Sequence, residues 1–219
     1  MPKRKQKIEP WHLREERKRK KHVVSFRKRY LICTEGKTEA IYFGHYRSST
    51  GPVVVALDKS DHKISLVKKT IEEIDVRIQA GEFNEEIDEA WVVLDRDANP
   101  LNRVDKAHFN RALELAKINN IHVAYSNDAF ELWFLLHYQD LWAATHRDQL
   151  YKILSTHRNE KYEKPLDLYK EIKSLRSVAL KRAAKLLKSD QSPADCNPST
   201  TIHILVEKLI AEPGYREED

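Results

Sequence analysis

Cysteine is scarce in this sequence. The 219 residues include two, Cys33 and Cys196, too few and too far apart for a disulfide framework or a zinc-ligand spacing. Cys33 falls inside an apolar stretch and reads as a small buried hydrophobe. Long apolar runs are also missing. The longest, such as Leu132-Trp133-Phe134-Leu135-Leu136, are far below the ~20 residues that cross a bilayer. Basic residues at the N-terminus have no apolar stretch behind them, which excludes a secretory signal. A reducing, cytoplasmic setting is therefore expected. No dinucleotide GxGxxG, HExxH or GxSxG motif is present, and no His/Cys cluster. Nothing thus points to a nicotinamide cofactor, zinc or a nucleophilic serine. There is no internal repeat.

What is present in quantity is charge, at 33% of residues against 41% hydrophobic, with a net charge of +5. The balance is uneven. Residues 1–30 hold thirteen Lys/Arg and three acids; the remainder holds twenty-six and thirty-one. A basic tail on a mildly acidic body suggests that residues 1–28 are mobile and touch nucleic acid. Lys18, Arg19, Lys20, Lys21, Arg27 and Lys28 are the candidate contacts. The plainer reading is a solvated appendage.

Short apolar runs mark four strands: 29–34, 52–57, 90–94 and 121–125. Helical patterns separate them. The clearest is Ile64, Val67, Ile71, Ile74 and Ile78, whose 3,4,3,4 spacing gives one apolar face, with Ser60 or Asp61 as its cap. A second runs from Asp105 to Asn119 with Phe109, Ala112, Leu113 and Ala116 inward. Residues 129–138 are apolar nearly all round and should form a buried helix, in which His137 reads as a core histidine. Alternating strands and helices predict an α/β domain over 29–146, a parallel sheet of about four strands covered on both faces. From Arg147 the pattern is helical only. Pro165 is expected to open a long helix through Leu186, and Ser199 or Thr200 to cap a last one. Residues 147–219 thus read as a helical extension packed on the sheet.

Right-handed crossovers place the carboxyl ends of parallel strands on one rim, where ligands bind. The rim residues are Glu35, Asp58, Asp95, Asp97, Asn127 and Asp128, more carboxylates than turns require. Asp95-Arg96-Asp97 follows a strand, and residues two apart on an extended chain share a side. Two such carboxylates repel unless a cation sits between them, and hard ions such as Mg²⁺ or Mn²⁺ take oxygen ligands. The alternative is a polar turn with an acid–arginine pair. Glu35-Gly36-Lys37-Thr38-Glu39 spans a strand-to-helix turn whose helix start suits a phosphate, although P-loop spacing is absent. Glu35 is a candidate metal ligand or base, while Glu39 better fits a plain helix-start acid. Glu131 lies early in an apolar helix and needs a partner: Lys37, Arg96 or a metal.

Four segments in this order, LICTEGKTEAIYF, EAWVVLDRD, SNDAFELWFLLHY and NPSTTIHILVEKL, resemble the RloB family over residues 29–212. One departure stands out, since the family commonly has Pro-Cys where this chain has Asp128-Ala129. The resemblance implies a Toprim-like fold, in which a Glu follows the first strand and a D-x-D a later one. Glu35 and the pair Asp95 and Asp97 match those positions. It further implies a divalent-metal-dependent nuclease of prokaryotic anti-phage (abortive infection) defence, paired with an ATPase. Glu35, Asp95 and Asp97 would hold the metal, with Glu131 as a further ligand; Lys37 and Arg96 would stabilise charge on the phosphoryl oxygens. A non-catalytic nucleic-acid-binding or effector subunit is the main alternative. Phosphoryl or nucleotidyl transfer on a small substrate is a third.

Overall fold

The computed structural model describes residues 27–59, 61–97, 103–187 and 191–217. Residues 1–26, which include Lys18, Arg19, Lys20 and Lys21, lie outside this description. Strands β1 (Arg29–Thr34), β2 (Val53–Asp58), β3 (Glu89–Asp95), β4 (His122–Asn127) and β5 (Ser199–Thr200) form one sheet in the order β2-β1-β3-β4-β5. The first four are parallel, as the apolar runs predict, and β5 is antiparallel to β4. This α/β architecture is the one expected of a Toprim-like domain.

Helices α1 (Lys37–Gly44), α2 (Lys63–Gln79), α3 (Arg103–Ile118) and α4 (Glu131–Tyr138) follow strands β1 to β4 in turn. They are followed by α5 (Arg147–Arg158), α6 (Tyr169–Ile172), α7 (Arg176–Leu186) and α8 (Ile202–Ala211). Strand alternation divides the core. Tyr30, Ile32, Trp91 and Val93 face a layer built by α1, α4 and the later helices. Leu31, Cys33, Val92 and Leu94 face Leu66, Val67, Phe109 and Ala112 of α2 and α3. A sheet covered on both faces explains why its strands read as continuous apolar runs.

Four sequence expectations need correcting. The chain beyond Arg147 is not helical only, since Ser199 and Thr200 pair with Asn127 and Ser126. They therefore cover the outer edge of β4, which would otherwise present unpaired backbone groups. Pro165 opens no helix. Instead Asp167 accepts a hydrogen bond from the Tyr169 N–H at 3.1 Å, and a 3-10 turn at Lys173–Leu175 divides α6 from α7. In α2 the buried face runs through Leu66, Val67, Thr70 and Ile74, while Ile78 is exposed. Thr70 tolerates burial because its hydroxyl donates to the Leu66 carbonyl at 2.8 Å. The residue capping α2 is His62 rather than Asp61, and position 60 lies outside the described residues.

At the amino rim of the sheet, Glu89 gathers Lys28 at 2.7 Å, Lys208 at 2.8 Å and the Trp91 indole N–H at 2.9 Å. Burial alone would raise the Glu89 carboxyl, but hydrogen bonds from Lys208, Lys28 and Trp91 outweigh it and hold it at about 2. Arg27, next to Lys28 in sequence, donates to the carbonyls of Ser48, Gly51 and Pro52. Both basic residues are thus engaged with the protein itself at that rim. Because the folded value of Glu89 lies below its ordinary 4.5, its contribution is full above that pH and fades as pH falls towards 2. Glu89→Gln should cost about 2 kcal/mol at pH 7, and the gap to wild type should narrow at pH 3. Urea unfolding at the two pH values checks this, and equal stabilities at pH 7 would refute it.

Candidate active site

The carboxyl ends of β1, β2 and β3 open into a cleft of about 350 Å³, lined by Glu35, Asp58, Asp95 and Asp97 together with Gly36, Lys37, Thr38, Glu39, His62, Arg147, Lys164 and Pro165. Glu35, Asp95 and Asp97 therefore meet on one rim. Glu35 leaves β1 into Gly36, which precedes α1 in an extended conformation. A Cβ on Gly36 would lie 2.9 Å from the Glu39 Oε2, so glycine lets that carboxylate tuck under the turn. Glu39 is buried and its Oε2 has no hydrogen-bond partner. Lys37, two residues earlier, is exposed and lines the cleft.

The acids perturb one another. Burial, then Asp97, lifts the Glu35 carboxyl to about 7, partly offset by a 3.3 Å contact with His62. Burial, then Glu39 and Glu35, pushes Asp95 well above the usual carboxylate range. Burial also raises Glu39, against the opposing pull of Lys164. The repulsion expected between Asp95 and Asp97 is met by protein cations. Lys63 donates to Asp97 Oδ2 at 2.9 Å, and Arg147 pairs with Asp97 Oδ1 while lying 4.0 Å from Asp95. Asp97 itself has a positive φ of 51°. Aspartate enters this left-handed region more readily than most residues.

Glu131 sits beneath the cleft, at the start of α4, with no exposure. One of its oxygens accepts from the Tyr162 hydroxyl at 2.7 Å and lies 2.8 Å from the Lys164 ammonium; the other has no partner. Burial works against the Lys164 ammonium, but Glu131, Asp95 and Glu39 outweigh it and push its pKa up. Arg96, like Glu131, does not line the cleft. Its Nε donates to the Ala194 carbonyl at 3.1 Å and its guanidinium lies over the Phe109 ring. The chain turns residue 96 away from the side of Asp95, the last residue of β3, while Asp97, in its left-handed conformation, lines the cleft again. His137 is buried, with Nδ1 2.9 Å from the Trp133 carbonyl, and burial lowers it to about 4, as befits a core residue.

Among the described residues, no three His, Cys, Asp or Glu side chains are arranged to close on one metal ion. Sequence reasoning missed Glu39 as a cleft residue, and it missed Lys63, Arg147, Tyr162 and Lys164 altogether. The four-residue step from Glu35 to Glu39 was the only available signal. The others come from helix starts and loops that no motif marks.

The RloB-like protein family matches residues 30–209. The chain belongs to the RloB-like family. The matched span begins in β1, ends in α8 and includes every cleft residue. No curated protein and no solved structure matches the chain. In this RloB-like chain the four quoted segments have distinct places. The first is β1, its turn and α1; the second is β3 with the Asp95–Asp97 rim. The third is the end of β4 with α4, and the fourth is β5 with α8. Three of them supply acids in or beneath the cleft, and the last closes the sheet edge beside it. Among the described residues no helix is long and apolar enough to cross a membrane.

The raised carboxyls carry a pH signature. Between its ordinary 4.5 and about 7, Glu35 holds a proton in the folded chain that the unfolded chain has released. Stability must therefore fall as pH rises through that window. Glu35→Gln should flatten this decline between pH 5 and pH 7.5 in metal-free urea titrations. A slope identical to wild type would show that Glu35 does not titrate as the geometry requires.

Proposed function

We propose that the cleft cleaves phosphodiester bonds in nucleic acid with the help of a divalent cation, Mg²⁺ or Mn²⁺. The supporting observation is a surplus of buried carboxylate at one strand rim. Asp95 is pushed up by burial and by Glu39 and Glu35, and a Glu39 oxygen is left without a partner. Such a cluster favours an added cation, and its donors are all oxygens, the type a hard ion takes. The residues therefore fit the ion in charge and donor type. Glu35, Asp95 and Asp97 would hold it. Of the two Glu131 oxygens, one is held by Tyr162 and Lys164, so the unpartnered one would be its donor as a further ligand. When bound, the ion would polarise a phosphoryl oxygen and lower the pKa of a water.

The chain's own groups have separable tasks. Glu35 has a second task open to it in place of ligation: as a base, its carboxyl, raised by burial and Asp97, would accept a proton from water. Lys37 in the cleft lining, together with the free N–H groups at the start of α1, would meet phosphate oxygens. Arg96 has no such task, because it is turned onto Ala194. A role in anti-phage defence and an ATPase partner complete the reading on the strength of the family resemblance, and nucleic-acid contact by residues 1–28 on the strength of their basic charge. The ion pairs of Lys63 and Arg147 with Asp97 favour one rival, a non-catalytic subunit whose acids are already neutralised.

The test is incubation of pure protein with plasmid, single-stranded DNA and total RNA, each with Mg²⁺, Mn²⁺ or chelator. Cleavage should require metal, and Asp95→Asn and Asp97→Asn should each lower it about 100-fold or more. Asp97→Asn should also lower the thermal midpoint slightly, because it weakens two ion pairs. Binding without metal-dependent cleavage would support the rival. Full cleavage by Asp97→Asn would refute the shared-metal mechanism.

A further inference from the structure

We infer that Arg147 and a divalent cation are alternative partners for Asp97, and that a phosphodiester entering the cleft drives the exchange by taking over the arginine. The inference deepens the metal-dependent reading above and rests on it. Both Asp97 oxygens are occupied: Oδ1 by the Arg147 guanidinium and Oδ2 by the Lys63 ammonium at 2.9 Å. A hard cation needs at least one of them bare. Three acids share the rim, yet among the described residues no three close on one ion. The arrangement is the one in which Asp97 is given to protein cations.

Arg147 is built to let go without losing its place. It starts α5, and its backbone N–H is fixed on Asp128 Oδ2 at 2.9 Å. Its Nε lies 3.5 Å from that same buried carboxylate, so a released guanidinium keeps one anionic neighbour. The side chain is 29% exposed and lines the cleft with Glu35 and Asp95. A phosphate reaching those acids is within its range, and a guanidinium takes two phosphate oxygens in a fork that an ammonium cannot match. A cation alone must break the Arg147–Asp97 pair with nothing to replace it. A phosphate supplies the replacement. Metal and phosphodiester should then bind with positive and reciprocal coupling. A permanent Arg147–Asp97 strut would show no such coupling.

The experiment is titration of metal-free full-length protein with Mn²⁺, following free Mn²⁺ by its paramagnetic signal. It is done with and without dimethyl phosphate, a phosphodiester that is neutral as to sugar and is not a cleavable strand. For wild type the probe should tighten Mn²⁺ binding. Arg147→Gln should bind Mn²⁺ about fivefold more tightly without the probe, a coupling at the low end of the usual range, and gain nothing from it. If circular dichroism shows that Arg147→Gln does not fold, Arg147→Lys serves, because it keeps the charge but not the fork. It too should bind Mn²⁺ more tightly than wild type. Wild-type Mn²⁺ affinity in the folded variant would overturn the exchange and leave the metal site standing. A tighter variant with no probe effect on wild type would overturn the phosphate half. Absence of Mn²⁺ binding in both proteins would overturn the inference and the metal-dependent reading together.

Discussion

The site depends on the parallel register of β1 and β3. Thr34 lies opposite Val93, and Asp95 opposite Ser126 of β4. That register brings the end of β1, and with it Glu35, beside the Asp95 rim. Side chains alternate along a strand, so a slip of one residue in β3 would exchange the faces of all its side chains. Asp95 and Asp97 would turn towards α3, and Arg96 would take their place in the cleft. The apolar pattern prevents this. Trp91 and Val93 are committed to one core layer, and Val92 and Leu94 to the other. Packing of the strand interior therefore aims the acids beyond its end.

Two acidic centres show how far neighbours decide the state of a carboxylate. Glu89 and Glu35 are the same residue type on opposite rims of one sheet, and both are partly shielded from water. Glu89 has two lysines and an indole N–H and is held at about 2. Glu35 is raised first by burial and then by Asp97, with a histidine and a lysine in partial compensation, and stands at about 7. The first arrangement ties β3 to Lys28 and to α8, and so serves the fold. The second leaves charge insufficiently matched and is tolerable only where something else supplies the balance. Perturbed groups gathered in a cleft mark a functional site more often than chance, although structural networks perturb pKa values too. The Glu89 centre is such a network, and the cleft differs from it in its surplus of acid and its unpartnered Glu39 oxygen.

The fold was legible where burial writes a long signal. All four parallel strands and the sense of their pairing follow from apolar runs separated by helical periods. The two-residue β5 left no such trace, because Ser199 and Thr200 are small polar residues in a loop-like stretch. Their strand character exists only through pairing with Ser126 and Asn127. Pro165 carried a false signal: its fixed φ suits a helix start, but the neighbouring Lys164 is committed to Glu131, and the chain turns helical only after Asp167 supplies a side-chain acceptor. The acids of the rim were legible because strand ends and D-x-D spacing are local features. Their cations were not. Lys63, Arg147 and Lys164 are three among thirty-nine basic residues, and only tertiary structure selects them.

Arg96 shows the limit of reading a motif as a unit. The rule that puts Asp95 and Asp97 on one side puts the residue between them on the other, so the same alternation argues against Arg96 as a phosphate contact. The structure carries that argument through. The Arg96 guanidinium is buried on the Ala194 carbonyl and the Phe109 ring. The arginine that does reach the acids comes from fifty residues further on, at the start of α5. The cations paired with these acids thus come from α2, from α5 and from the loop before α6, while the acids come from the ends of β1 and β3 and from the starts of α1 and α4. An arrangement whose two signs of charge come from different elements can change its pairing by side-chain movement alone, with the sheet left intact.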